Sequence, residues 1–254
     1  MRALLLLCLA ALAVCAEPLT YAGSSTVAAL LKSVAPGLVT SDAAGSLTAV
    51  RALAEGRAQV VGLSRELTAD ERAAITVQRG AEPVVRELGR GAVALFVHRG
   101  NPVAGITHGQ LAEACAGRLR WSALGVQGAL GSAPVRVVSN NLRAGSTRLL
   151  ADAILGGALP GEVRIEPVGS SVVQAAAVDE AVLAVASLHQ ATPAIRAVPL
   201  DGVLPEGDTL RDGRYLLGRP LLLVWMPGTP GIAPLVSALS TEEAARRLYD
   251  EGVF

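Results

Sequence analysis

The sequence predicts an α/β fold, and three observations carry that expectation. Short apolar runs such as Gln59–Leu63, Val93–His98 and Ala181–Ser187 have the length and composition of buried strands. Between them lie segments of helical length that open on Ser or Thr. Proline or glycine punctuates the ends of these segments, at Pro36, Gly117 and Gly156-Gly157. Strands alternating with helices argue for layered α/β architecture.

In chain order, Leu19–Ala22 reads as a strand and Ser25–Val34 as the helix after it, stopped by Pro36. Ser46–Glu55 reads as a helix and Gln59–Leu63 as an apolar strand. Thr68-Ala69-Asp70-Glu71 is a capping box that opens another helix. Val93–His98 is nearly all apolar, as a strand covered on both faces should be. Thr107 caps a helix running to about Ala116, with Gly117 as its stop. Val135–Ser139 is a strand, Ser146–Leu155 a helix and Gly156-Gly157 a break. Ser170–Val178 is a helix that precedes the strand Ala181–Ser187. Ile195–Leu200 and Leu221–Trp225 are further strands, and Ser240-Thr241-Glu242-Glu243 is a second capping box before a terminal helix. No repeat or linker divides the chain into consecutive domains, so two lobes would have to be discontinuous.

The first residues read as a secretory leader. Arg2 is a short basic region, Leu4–Val14 is apolar but short for a membrane span, and Val14-Cys15-Ala16 offers small residues for cleavage before Glu17. The expected leader is therefore 1–16. Lipidation at Cys15 is the competing reading, disfavoured because Val14 stands where a lipobox wants a smaller residue. About 238 residues would remain, enough for one large domain or two small lobes.

Basic and acidic residues balance at 22 each, which argues against a nucleic-acid partner, since that demands a basic face. A single small anion needs only local donors and is not disfavoured. Aromatics are 3% of the chain, too few to build stacking sites for bases or sugars. Cys8 and Cys15 fall in the leader, so Cys115 would be alone, with no internal disulfide and a core position more natural than a reactive one. His98, His108 and His189 lack metal-ligand spacing, and the glycines form neither a phosphate-loop nor a dinucleotide fingerprint. No cofactor or metal is expected.

Two Ser/Thr-rich corners stand out, Gly23-Ser24-Ser25-Thr26 and Arg143-Ala144-Gly145-Ser146-Thr147-Arg148. Each follows an apolar run and precedes a helix. A helix start presents free N–H groups and partial positive charge, and hydroxyls add donors. Two such corners, more than a hundred residues apart, could grip one anion from opposite sides. Ordinary N-capping accounts for the same residues equally well.

Further motifs fall into a recognisable order. Gly23-Ser24-Ser25-Thr26-Val27 is followed by Gly45-Ser46 with Val50-Arg51-Ala52-Leu53 and Glu55-Gly56, then by Val61-Gly62-Leu63-Ser64-Arg65. Thr107, Gln110-Leu111, Gly117 and Trp121 come next, then Ala181–Leu188, Arg219-Pro220-Leu221 and the terminal Glu242…Gly252 segment. In these motifs the chain resembles the periplasmic phosphate-binding proteins of ABC-type phosphate importers, over essentially its whole length after the leader.

The resemblance implies a two-lobed α/β periplasmic binding protein of type II, with a hinge and an interlobe cleft. One lobe would combine 17–94 with 196–254 and the other would be 95–195. It implies an exported, monomeric, non-enzymatic protein that binds inorganic phosphate and serves an ABC transporter permease. By the resemblance, Ser25, Thr26, Ser46, Ser64, Arg65, Arg143, Ser146 and Thr147 would hold the anion, with Arg148 competing with Arg143.

Two departures from the family pattern leave the choice of oxyanion open. Gly145-Ser146-Thr147 lacks an inner glycine of the family corner, and Arg65 stands where many members carry Asp. A carboxylate there would accept the proton of hydrogen phosphate and repel sulfate. Asp42 is the nearest other acceptor, although a turn role suits it. Sulfate, molybdate or an organic phosphate is the alternative ligand. An exported hydrolase using Ser25 or Ser146 is the reading from another class, and no nucleophile elbow or triad histidine supports it.

Overall fold

The computed structural model describes residues 17–42, 45–142 and 144–254. The expected leader 1–16 and Arg143 lie outside the described residues, so neither expectation is addressed by the fold. Nine strands and ten α-helices follow one another along the described chain, with short 3-10 turns at Trp121–Leu124 and Leu188–Gln190. The first third holds β1 (Leu19–Gly23), α1 (Ser25–Val34), β2 (Val39–Asp42), α2 (Ser46–Ala54), β3 (Val60–Leu63) and α3 (Ala69–Arg79). Then come β4 (Val84–His98), α4 (His108–Cys115), α5 (Gly128–Ser132), β5 (Arg136–Asn140), α6 (Gly145–Ile154), β6 (Arg164–Glu166) and α7 (Gly169–Val178). The last third holds β7 (Val182–Ser187), β8 (Ile195–Val198), α8 (Gly207–Arg211), β9 (Gly218–Trp225), α9 (Ile232–Ala238) and α10 (Glu242–Asp250).

The strands run in the order β2-β1-β3-β9-β4-β7-β5-β6, with β8 also on β4. β1 is parallel to β2 and β3, whereas β9 is antiparallel to both β3 and β4. On the other side β4 is antiparallel to β7 and β8, and β5 is parallel to β6 and β7. The fifteen-residue β4 joins the two halves: Val84–Ala92 pairs with β9, and Val93–His98 pairs with β7 and β8. Its register slips between Glu87 and Gly89, where Gly89 takes φ +138° beside the C-terminal Val253-Phe254.

Each half has its own apolar layers. Val27, Leu30, Leu31, Leu221 and Leu223 pack on one face of the first half, and Ala49, Leu53, Leu63 and Ile75 on the other. In the second half, Trp121, Leu111, Cys115, Leu150 and Val185 form one layer, with Phe96, Val138, Val172 and Ala184 on the opposite face. Burial in this layer pushes the Cys115 thiol up to about 12, so it stays protonated and serves as packing.

The expected boundary at 195/196 falls at the start of β8, whose partner β4 residues lie in the second half. Leu200, Leu210, Tyr215 and Leu217 also pack in that half, and the Tyr215 hydroxyl donates to the Val93 carbonyl at 3.0 Å. The chain re-enters the first half at β9. The second expected capping box is also modified: Thr241 alone caps α10, accepting from Ala244 N at 3.1 Å, while the Ser240 hydroxyl donates back to the Val236 carbonyl.

The first Ser/Thr corner is built by a close approach of two strands. Ser24 N donates to the Gly62 carbonyl at 2.8 Å, and the Tyr21 hydroxyl passes over Gly62 to donate to the Ser24 carbonyl at 2.7 Å. A side chain at Gly62 would collide with that hydroxyl and lie 2.7 Å from Val27 Cγ1. Overpacking of this kind costs about 1–3 kcal/mol. Gly62→Ala is therefore expected to lower unfolding free energy by about that amount in urea titration, and a loss below about 0.5 kcal/mol would contradict this packing.

Candidate functional site

Between the halves lies a cleft of about 950 Å³. Four helices open onto it: Ser25 and Thr26 of α1, Ser46 of α2, Gly145 and Ser146 of α6, and Gly169 and Ser170 of α7 line its wall. None of the four carries an acidic residue in its first turn, and α2, α6 and α7 have no side-chain cap. By contrast, α3, α4 and α10, whose first turns do not line the cleft, are each capped by a threonine. Convergent helix N-termini supply N–H donors and partial positive charge to one place.

Arg219 lies among them, at the start of β9, only 4% exposed. Its Nη2 donates to Ser187 Oγ at 2.7 Å and to Thr26 Oγ1 at 3.4 Å, and those two hydroxyls are 3.2 Å apart. Its Nε and Nη1 are buried and have no hydrogen-bond partner among the described residues. No carboxylate lines the cleft among the side chains that the structure describes, which do not include that of Asp42. Burial lowers the Arg219 pKa to about 10, which leaves it charged at neutral pH. A buried, unpaired guanidinium is a costly arrangement that an anion would relieve.

The two expected corners meet at this arginine. A Cβ built on Gly145 would stand 2.6 Å from Ser64 Oγ and 3.0 Å from Arg219 Nη1. Glycine at the first position of α6 thus lets the second corner close onto the first. His189, just after β7, also lines the cleft, and its buried Nδ1 has no partner among the described residues. Burial first, and the Arg219 charge second, lower its pKa to about 4, so the ring is neutral at pH 7.

Of the residues singled out from sequence, Ser25, Thr26, Ser46, Ser64 and Ser146 come together in the cleft. Thr147 is buried behind it, its hydroxyl shared between Ser139 Oγ at 3.0 Å and the Asn140 carbonyl at 2.8 Å. Arg65 does not line the cleft but forks onto Glu71, Nη1 to Oε2 at 2.7 Å and Nη2 to Oε1 at 2.6 Å. Glu71 is held below its ordinary range: burial, the largest influence, would raise it, but the bonds from Arg65 and Thr68 together outweigh burial. The pairing has a local cause, because Glu71 is already fixed by the capping box of α3. Arg148 pairs with Asp152 on the outer face of α6.

Sequence reasoning missed Arg219, Ser187, His189 and the start of α7 as cleft residues. A cation opening the apolar run Leu221–Trp225 was the available signal for Arg219.

A family model described as a PBP superfamily domain matches residues 15–244. The chain belongs to the PBP superfamily. It is 32% identical over 174 residues to the phosphate-binding protein PstS of Pseudomonas aeruginosa, covering 61% of this chain and 54% of that protein. The chain thus spans about half the length of the curated relatives it matches. The superfamily fold recurs in a putative phosphate ABC transporter substrate-binding protein from Clostridium perfringens, solved with bound phosphate (TM-score 0.79, 21% identity, 93% of this chain and 98% of that one). It recurs again in an ABC-type phosphate transport receptor from Vibrio cholerae (TM-score 0.73, 19% identity, 93% of this chain and 99% of that one). At these identities the likeness is one of fold. Among the described residues of this superfamily member, no helix is long and apolar enough to cross a membrane.

Two outcomes follow from the charges. Arg219→Met should leave the ligand-free protein at least as stable as wild type, because it removes a buried charge that has no ion-pair partner among the described residues, while abolishing stabilisation by added anion. Thermal melts with and without anion check this, and a ligand-free loss above about 2 kcal/mol would contradict it. His189 has a folded-state pKa (about 4) below its ordinary 6.5, so between these values the unfolded chain holds the extra proton. Its contribution is complete above that window and is lost as pH falls through it, by at most ~3 kcal/mol. Ligand-free wild type should therefore lose more stability than His189→Leu between pH 6.5 and 4, and parallel profiles would refute the assignment.

Proposed function

We propose that this chain is an exported solute-binding protein that captures inorganic phosphate in its cleft and delivers it to the permease of an ABC transporter. The observation that carries the reading is that four helix N-termini line one cleft with Arg219, whose Nε and Nη1 have no partner among the described residues. Such a site suits a compact polyanion: helix N-termini and serine hydroxyls donate to its oxygens, and the guanidinium adds charge-assisted bonds. The relatives named above support phosphate among oxyanions. Binding is the whole chemistry of this reading, and no bond is made or broken.

The same reading divides the chain into two lobes, 17–92 with 218–254 and 93–217, moving about β4 and the adjoining strands. Closure would bring α6 and α7 onto α1 and α2 and exclude water from the anion, which strengthens every contact in the cleft. Arg143 is kept as a candidate contact at the second corner. Export would follow cleavage after Ala16, and the transporting unit would be a monomer.

The test is the thermal stability of purified, phosphate-stripped protein with phosphate or sulfate added. Phosphate at a hundred times its Kd should stabilise by about 2.7 kcal/mol. Ser46→Ala and Ser146→Ala should each weaken phosphate binding by about 1 kcal/mol, roughly fivefold. Sulfate stabilising more than phosphate, or neither ion stabilising a folded protein, would overturn the reading.

A further inference from the structure

We propose that the C-terminal Val253-Phe254 pair is a clasp that spans the two halves behind the cleft and holds them in the arrangement that grips the anion. The clasp lies outside the anion site, and the phosphate reading above supplies only the probe that reports on it.

The clasp is anchored at the bulge in β4. Phe254 N donates to the Arg90 carbonyl at 3.0 Å, and Arg90 N donates to the Phe254 carbonyl at 2.8 Å. Gly89 makes room for it, since a Cβ there would lie 2.7 Å from Val253 Cγ1 and 3.1 Å from the Phe254 carbonyl oxygen. From this anchor the two side chains go to different halves. Val253, only 5% exposed, joins the first-half layer of Leu221, Leu223 and Leu248. The Phe254 ring packs against the second-half layer that holds Leu210 and Leu217. Its seat is the start of α8, where a Cβ on Gly207 would stand 2.9 Å from Phe254 Cδ1. Tyr249 meets the ring edge-on, with centroids 5.1 Å apart.

The surface around this contact is not packed solid. A cavity of about 650 Å³ lies between Glu206, Asp208 and Arg211 of the second half and Tyr249 and Asp250 of the first, with Phe254 on its wall. The ring thus bridges the halves beside a gap. A narrow cavity lined by Arg219, Gly252 and Val253 lies between the clasp and the cleft.

The clasp and the closed cleft walls occur together. Arg219 of the first half donates to Ser187 of the second at 2.7 Å, and Gly145 stands against Ser64. Parting the halves about β4 would carry α8 away from Arg90 and lift the ring from its seat into water. Apolar burial of the ring therefore favours the gripping arrangement, and apparent affinity scales with the fraction of chains that hold it. Phe254 does not line the cleft, so its influence on binding passes through the angle between the halves.

The test is isothermal titration of the purified chain with phosphate, with small-angle X-ray scattering of the ligand-free protein. The variants are Phe254→Ala, Phe254→Leu, Gly207→Ala and Ile75→Val. Phe254→Ala should lower phosphate affinity at least about fivefold and enlarge the ligand-free radius of gyration. Gly207→Ala, which displaces the ring from the α8 side, should do the same and stands in if Phe254→Ala fails to fold. Phe254→Leu keeps apolar bulk and should retain most of the affinity. Ile75→Val trims the other first-half layer, so it should lower the melting temperature and leave affinity within about twofold. Affinity within about twofold of wild type in both Phe254→Ala and Gly207→Ala would overturn the proposal. So would an equal loss in Ile75→Val, which would mark a general effect of stability. If the wild-type chain binds no phosphate, the phosphate reading falls and scattering decides alone: a larger radius in Phe254→Ala supports the clasp, and superimposable curves overturn it.

Discussion

Arg219 organises the cleft because its charge is buried with no ion-pair partner among the described residues. One of its nitrogens is fixed by Ser187 and Thr26, which hold the guanidinium plane in place, and the other two are left for something else. Desolvating a cation without a counter-ion costs several kcal/mol, and a fold keeps such a feature only where a partner returns that cost. The surrounding wall of helix N-termini adds positive potential rather than cancelling it. These features are what the proposed anion site rests on.

The fold supplies the geometry through close backbone approaches. Gly62 lets the Tyr21 hydroxyl reach the Ser24 carbonyl and pins the first corner against β3. Gly145 lets α6 press its first residue against Ser64 and Arg219. Because β4 runs through both halves and β9 rejoins the first half at Arg219 itself, the arginine sits where the two halves meet. The PBP superfamily match over residues 15–244 takes in all nine strands of the described chain and the four helix starts that line the cleft.

Much of this was legible in the sequence, for physical reasons. α1 falls at Ser25–Val34 as expected, because Ser24 caps it and the chain leaves the helix at Ala35, before Pro36. The capping box at Thr68 forms and Thr107 caps α4 as expected, since side-chain to backbone bonds of this kind are a local property. The first nine residues of β4 were not legible: Val84–Ala92 mixes charge and glycine, and pairs only because β9 lies beside it. Arg65 and Arg219 show the limit for site residues. A Ser-Arg pair after a buried strand pointed to Arg65, yet Glu71 claims it through the α3 cap. Arg219 stood in the sequence only as part of the Arg219-Pro220-Leu221 motif and not as a site residue, and what distinguishes it is burial, which depends on chain segments far from it in sequence.

The most direct test of this account is a crystal structure of the protein grown with phosphate. The account requires a tetrahedral anion with oxygens within hydrogen-bonding distance of Arg219 Nη1 or Nε and of N–H groups at the starts of α1, α2 and α6. An anion held elsewhere, or Arg219 neutralised by a carboxylate of the chain, would contradict it.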